Sequence, residues 1–249
     1  MSPEIPRSHP RYHSLVTRER IAQAIHRGLV HETGLIAHGR GEAFDYLLGE
    51  TTIPLANQAM EAAAACLLCA QHPVISVNGN VVALTAQECV HLADAIPAIL
   101  EVNLFHRTTD RITKLVHELE KYGAQQVFGT IGDAQILGLD HDRGRCDDDG
   151  IFSADVVLVP LEDGDRCQAL QAMGKTVIAI DLNPLSRTAK TASITIVDNV
   201  IRALPRLTYW IHKQKNTSKT SLENLIKNWD NEGMLQETLG FIAKRINSL

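Results

Sequence analysis

The chain has 249 residues, 45% of them hydrophobic and 21% charged, with a formal net charge of -5 at pH 7. That size and balance suit one large α/β core; no apolar run approaches the roughly 20 residues that span a bilayer, so a membrane protein is excluded. The acidic balance argues against nonspecific nucleic-acid binding, which needs a broad basic face.

The opening Met1-Ser2-Pro3-Glu4-Ile5-Pro6-Arg7 has no signal-peptide apolar segment, so a cytoplasmic location is expected. Ser14 to Val30 is expected to be helical, with Ile21, Ile25 and Leu29 on one face. Gly34 and the glycines around Arg40 then predict a loop. The alanine-rich stretch Leu55 to Ala70 predicts a second helix, ended by Pro73. Cys66 and Cys69 form a CxxC inside that helix, and with Cys89, Cys146 and Cys167 they lack the spacing of a zinc site or disulfide framework. Reduced core thiols are preferred over redox or metal chemistry, and no metal ligand set is proposed.

Val74 to Val77 reads as the first central strand, followed by Asn78-Gly79-Asn80 and a helix opened by the capping box Thr85-Ala86-Gln87-Glu88. Ile99 to Val102 is the next strand. Asn103 and Arg107 then precede a helix whose Ile112, Leu115, Val116 and Leu119 share a face, with Gly123 at its C-cap. From Gly129 to Gly150 the sequence is rich in Gly and Asp around His141-Asp142-Arg143-Gly144-Arg145, and predicts a long functional or mobile loop with at most a short strand near Val127.

Val156 to Val159 continues the sheet, Asp163-Gly164-Asp165 opens a helix that stops at Gly174, and Val177 to Ile180 and Ile194 to Val197 complete it. This alternation predicts an α/β fold with a mostly parallel, doubly wound sheet, an N-terminal helical segment and a C-terminal helical arm. The connection from Asn183 to Ser193 is too short for a full crossover helix, leaving the last strand antiparallel or reached through one tight helical turn. A helix is expected from Asn199. Lys213 to Thr220 reads as a polar linker, followed by the apolar stripes Leu222, Leu225, Ile226, Trp229 and, beyond Gly233, Leu235, Leu239, Ile242, Ile246. The expected division is a domain over 1–212 and an arm over 213–249, docked on the core or contacting another subunit.

Two candidate regions carry chemistry. In His38-Gly39-Arg40-Gly41-Glu42 an arginine between glycines suits a phosphate, the alternative being a tight turn with a solvated arginine. Two apolar runs end in acid and amide groups, Asp181-Leu182-Asn183 with Arg187-Thr188, and Asp198-Asn199. At strand ends of an open α/β sheet such groups can hold a nucleotide; as turn caps they would hold none. No GxxxxGK[ST] or GxGxxG loop supports the standard nucleotide readings, and the spacing of His31 and His38 is poor metal geometry, favouring surface or hydrogen-bonded histidines.

Four stretches then gain weight together: Gly34 to Gly49, Val74 to Asn80, Ala154 to Arg166, and Ile180 to Thr188. They closely resemble archaeal phosphopantothenate synthetase, also called 4-phosphopantoate–β-alanine ligase, from about Pro10 to Leu204. The resemblance implies a Rossmann-like homodimer that joins 4-phosphopantoate to β-alanine with ATP, and magnesium carried by the triphosphate, releasing AMP and diphosphate in coenzyme A biosynthesis. Carried over by motif, the ATP contacts are Arg18, Arg40, Asp181, Leu182, Asn183, Arg187, Thr188, Asp198 and Asn199, with Arg40 and Arg187 as the catalytic pair. Asn80, Asn103 and Arg107, at predicted strand ends, are the candidates for the 4-phosphopantoate phosphate, with Arg143 and Arg145 as substitutes from the long loop. A nucleotide-sensing module and a phosphotransferase are the competing readings.

Overall fold

The computed structural model describes residues 5–161 and 163–248; Met1 to Glu4 and Glu162, which belong to two of the stretches read above, lie outside the described residues. Six parallel strands form the central sheet: β1 (Pro73–Val77), β2 (Ile99–Val102), β3 (Val127–Phe128), β6 (Val156–Pro160), β7 (Thr176–Ile180) and β8 (Ile194–Ile196). Their spatial order is β3-β2-β1-β6-β7-β8. The direction of winding reverses between β1 and β6, and a ligand crevice belongs beyond the carboxyl ends of the strands at such a switch point.

Every residue of β1 and β6 is buried, which is why these strands read as unbroken apolar runs rather than alternating ones. Alternate side chains still divide between two cores. Ile75, Val77, Leu158, Ile178 and Ile180 join the larger one, while Val74, Val157, Val159, Val177 and Ala179 join the smaller. The larger core is closed by α1 (Tyr12–His26), α2 (Glu32–Leu48), α3 (Pro54–Cys69), α4 (Gly79–Ala95), α5 (Thr109–Glu120) and α8 (Val200–Gln214). The smaller core is covered by α6 (Gly164–Ala172) and by the long connection after β3.

Several boundaries differ from the sequence expectation. Gly34, Gly39 and Gly41 lie inside α2, not in a loop. The reason is closeness: a Cβ on Gly34 would collide with Asn80 Oδ1 and sit 2.8 Å from Val30 Cγ1, so the glycine lets α2 press against the start of α4. Helix α4 begins six residues before the expected capping box, with Asn78 as its N-cap accepting from Val81 N–H at 3.1 Å. Thr85 instead marks a kink, its hydroxyl donating to the Val81 carbonyl at 2.8 Å. One short helix, α7 (Arg187–Thr191), joins β7 to a parallel β8, the second of the two arrangements expected there.

The stretch from Gly129 to Gly150 holds a small antiparallel pair, β4 (Ala134–Gln135) and β5 (Arg145–Cys146), and two short helical turns, Asp142–Gly144 and Asp148–Phe152. The polar linker is shorter than expected because α8 runs to Gln214 and α9 (Lys219–Lys227) begins at Lys219. Gly233 lies in the first turn of α10 (Asn231–Asn247). The arm docks on the core: α9 packs on α3, α10 reaches α2, α3 and α7, and Asn231 Oδ1 accepts from Thr195 N–H at 2.7 Å. Cys66, Cys89, Cys146 and Cys167 are buried, and burial pushes the Cys66 thiol up to about 12. Among the described residues no helix is long and apolar enough to cross a membrane.

Glu101 ties the long connection to the sheet. It is fully buried on β2 and accepts from the backbone N–H groups of Asp147 at 3.1 Å and Ile151 at 2.6 Å. Burial, only partly offset by those two bonds and by Arg166, raises its pKa from 4.5 to about 7. The unfolded carboxyl therefore releases its proton at lower pH than the folded one. Glu101's stabilising contribution is complete below about 4.5 and declines as pH rises to about 7. Glu101→Ala leaves two buried donors unpaired, at about 1–3 kcal/mol each. Its deficit in urea unfolding should be larger at pH 5 than at pH 8; an equal deficit at both values would contradict the raised pKa.

Candidate active site

A cleft of about 560 Å³ opens where the crevice is expected. One wall is α2, which presents Thr33, Ala37, Arg40, Gly41 and Phe44. The first turn of α4 supplies Gly79 and Asn80, the segment after β2 supplies Leu104, Phe105 and His106, and the loop after β7 supplies Asp181 to Asn183 and Ser186 to Thr188. Volumes of roughly 300–1,000 Å³ are those of small-molecule sites.

The loop after β7 is shaped by its own polar side chains. Asp181 Oδ1 accepts from Asn183 N–H at 2.9 Å, and Ser186 Oγ donates to Asp181 Oδ2 at 2.5 Å. Asn183 Oδ1 accepts from Leu185 N–H at 2.9 Å, and Ser186 Oγ caps α7 by accepting from Ala189 N–H at 2.9 Å. Asp181 thus caps a turn, as one sequence reading had it, and Asn183 forms another; both also line the cleft. Burial raises the Asp181 pKa, against the pull of Ser186, Asn183 and the Arg40 charge across the cleft. Gly164, at the start of α6, leaves room for Arg187, whose Cβ would be 2.8 Å from any glycine-borne Cβ. Arg187 is 61% exposed, with Asp165 at 4.0 Å.

Arg40, Asp181, Leu182, Asn183, Arg187, Thr188 and Asn199 are brought together in this cleft, as is Asn80, whose Nδ2 donates to the Gly34 carbonyl at 2.8 Å. Four other candidates are placed elsewhere. Arg18 lines a second groove, where its Nε meets Glu42 at 2.8 and 2.9 Å, and Glu42 in turn lines the cleft. Burial pushes the Glu42 carboxyl up, but the hydrogen bonds from Arg18 and Arg11 outweigh it and leave the pKa below the usual range.

Asp198 is buried behind the cleft. Its Oδ2 accepts from Thr52 Oγ1 at 2.6 Å, and its Oδ1 accepts from Arg202 Nε at 2.9 Å and Arg202 Nη2 at 2.6 Å. Arg202 also grips both oxygens of Asp45 on α2 at 2.6 and 3.1 Å, and Asn199 Nδ2 donates to the same carboxylate at 2.9 Å. Asp198 therefore supports the wall that Asn199 presents.

The shared-crevice expectation for Asn103 and Arg107 is corrected. Asn103 is fully buried, and its Nδ2 donates to the Arg145 carbonyl at 2.9 Å, making it a strut for the long connection. Arg107 donates to the Gly129 carbonyl at 2.6 Å and lines a separate cavity of about 210 Å³ with Arg145. Arg143 does line the main cleft, fixed by the Asn103 carbonyl at 2.7 Å and Asp163 at 2.9 Å.

At the α5 end of the cleft, His31, read from sequence as a surface or hydrogen-bonded histidine, meets two residues that the sequence reading did not single out. His31 and His106 stack with ring centroids 3.7 Å apart, and Arg111 lies beside them, donating to the carbonyls of His106 and of Leu29, the latter at 3.1 Å. Arg111 is one helical turn from Arg107, so spacing alone does not say which of them points inward.

The family model for phosphopantothenate/pantothenate synthetase matches residues 55–245. A 4-phosphopantoate–β-alanine ligase of Thermococcus onnurineus is 52% identical over 99% of this chain and 95% of its own length. Enzymes of the same name from Methanosarcina mazei and Methanospirillum hungatei are 50% and 52% identical, over 99% and 97% of this chain and 97% and 98% of theirs. With the matched family model spanning most of the sequence and relatives matching it nearly end to end, the chain belongs to the phosphopantothenate/pantothenate synthetase family.

Proposed function

We propose that the chain is a 4-phosphopantoate–β-alanine ligase of coenzyme A biosynthesis, forming 4'-phosphopantothenate while ATP is converted to AMP and diphosphate. The observation that carries this reading is the gathering of Arg40, Arg187, Asp181 to Asn183, Thr188 and Asn199 on one cleft at the switch point of the sheet. The near full-length likeness to ligases of that name supports the substrates. The nucleotide occupies the β7 end, where Asp181 and Asn183 carry the acceptors and donors for its sugar and base, and Arg40 and Arg187 meet its phosphates.

A carboxylate is a poor electrophile. The substrate carboxylate oxygen attacks the α-phosphorus, the bond to the bridging oxygen breaks, and diphosphate leaves. The amine of β-alanine then attacks the acyl carbon of the adenylate, AMP departs with the bonding pair, and the amine loses a proton. Arg40 and Arg187 stabilise the negative charge that builds on the phosphoryl oxygens. Magnesium enters as part of the nucleotide substrate; no group of three or more potential ligands among the described residues forms a resident cation site.

Residues 1–212 form the ligase unit, and 213–249 brace it from behind. The assembly is a homodimer in the cytoplasm. Its pairing is supported by Leu35 and Ile36, exposed on α2 beside a groove that Ile5 and Leu15 line.

An exchange assay tests the chemistry. Labelled diphosphate should enter ATP when 4-phosphopantoate is present and β-alanine is absent, because the first step is then reversible on its own. ADP as product would favour a phosphotransferase, and the absence of turnover a sensor; either would end the ligase reading.

A further inference from the structure

Helix α7 is five residues long and brings Arg187 and Thr188 to the cleft. A helix of that length does not hold itself, because nucleation fixes several dihedral angles for each hydrogen bond formed. Its N-terminal end is capped by Ser186, and the N–H groups of Lys190 and Ala192 donate to the Ser186 and Thr188 carbonyls at 3.1 and 2.9 Å. The next carbonyl, that of Ala189, has lost its helical partner. The Ser193 N–H that would reach it in a longer helix donates instead to the Val177 carbonyl on β7 at 2.9 Å.

Two side chains take the vacated place. Thr195 Oγ1, from a fully buried residue of β8, donates to the Ala189 carbonyl at 2.8 Å, and Asn231 Nδ2 donates to the same oxygen at 3.0 Å. The other end of that carboxamide, Asn231 Oδ1, accepts from Thr195 N–H at 2.7 Å, reaching β8 where it forms the edge of the sheet. A carbonyl only accepts and an N–H only donates, so the orientation of the carboxamide is forced. Asn231 therefore does between strand and helix what a backbone peptide would do. It lies 36 and 42 residues from its two partners and is delivered by the C-terminal arm. As the first residue of α10 it is held by the Asp230 cap, which accepts from Gly233 N–H at 2.9 Å, and by the buried Met234, Leu235, Thr238 and Ile242.

We infer that Asn231 is a positioning residue of the reaction: its carboxamide clamps α7 to β8 and so aims Arg187 at the phosphoryl group under attack. This rests on the ligase reading above and gives the arm a part in the chemistry beyond bracing the core. The guanidinium itself is exposed, with only Asp165 at 4.0 Å, so its aim depends on the helix that carries it. A small misplacement of a group that meets developing charge lowers the rate while the group itself is intact.

The experiment measures kcat for AMP formation and amide exchange over residues 187–192 in the wild type, N231A, N231D, L222A, R187A and R187A/N231A. N231A removes both bonds, whereas N231D keeps the acceptor for Thr195 and turns a carboxylate oxygen toward the Ala189 carbonyl. Each should lower kcat about tenfold, leave the KM for β-alanine within about threefold, and speed exchange of the Lys190 and Ala192 amides. Leu222 is buried on α9, which packs on α3, so L222A loosens the arm and leaves Asn231 in place. Its kcat should stay within about twofold of wild type even where its thermal midpoint falls as far as that of N231A. In the R187A background N231A should lower kcat by less than about twofold, because no guanidinium remains to be misplaced. The assignment is overturned if N231A leaves kcat or the α7 exchange unmoved, if L222A lowers kcat as N231A does, or if N231A multiplies the loss of R187A in full. A wild type that makes no AMP ends the ligase reading and this role together; an active wild type with an unaffected N231A ends this role alone.

Discussion

Arg202→Ala is expected to lower the unfolding free energy by about 3–5 kcal/mol, the penalty for removing one partner from a buried ion pair. The side chains of Asp45 and Asp198 are only 6% and 0% exposed, and Arg202 contacts both. Burial already pushes the Asp198 pKa up even with the guanidinium in place. Without Arg202 the two carboxylates lose their shared cation and stay out of water, while Thr52 and Asn199 supply only neutral donors. In urea unfolding the midpoint should fall with the slope unchanged. Arg206→Ala one turn on, where the guanidinium meets Asn57 Oδ1 at 3.1 Å on the surface, should change little. The sign of the pH dependence separates charge from packing. Carboxylates whose folded pKa is raised destabilise the fold above their unfolded pKa and cease to do so once protonated. The deficit of R202A should therefore shrink from pH 8 to pH 5; the same deficit at both values would assign it to lost packing instead.

That network also explains how far the site could be read from sequence. Asp198-Asn199 stood out because an acid and an amide follow a buried strand, and a strand buried on both faces is the plainest signal an α/β sequence carries. Which of the two faces the cleft was not visible. The choice depends on Asp45 and Arg202, residues on two helices far apart in the chain, and it leaves Asn199 exposed to the cleft with Asp198 behind it. The loop after β7 was legible because its turns are local, made by side chains bonded to backbone two residues away and by one side-chain pair five residues apart.

Helix α2 was misread for the opposite reason. Glycine lowers helix propensity, so three glycines near Arg40 suggested a loop. Gly34 is required by the approach of Asn80, a contact across 46 residues that no window of sequence contains. Because α2 is a helix, Arg40 is held on a rigid wall and not on a flexible turn. The same limit applied after β2. Arg107 and Arg111 bracket the start of α5, and contacts distant in sequence separate them: Arg107 is held on the Gly129 carbonyl beside the smaller cavity, and Arg111 on the Leu29 carbonyl at the cleft.

Arg187→Ala should reduce kcat by about 10²–10³-fold, the usual cost of deleting one donor that stabilises charge in a transition state. Its effect should fall on chemistry and not on folding. Arg187 is 61% exposed, its nearest carboxylate is 4.0 Å away, and Ser186, which caps α7, keeps its bonds to Asp181 and Ala189. Arg40→Ala should behave alike, since Arg40 is exposed on the cleft face of α2 and its charge lies opposite Asp181. The decisive measurement is single-turnover AMP formation at saturating substrate, together with diphosphate exchange in the absence of β-alanine. Both should fall by the same factor, because both pass through attack on the α-phosphorus, while thermal midpoints stay within a few degrees of wild type. Lys keeps the charge but loses the planar fork, so Arg187→Lys should recover only part of the rate. If Arg187→Ala instead raised the KM for ATP and left kcat intact, the guanidinium would be a ground-state anchor for the triphosphate, and the developing charge would have to be met by other groups of the cleft.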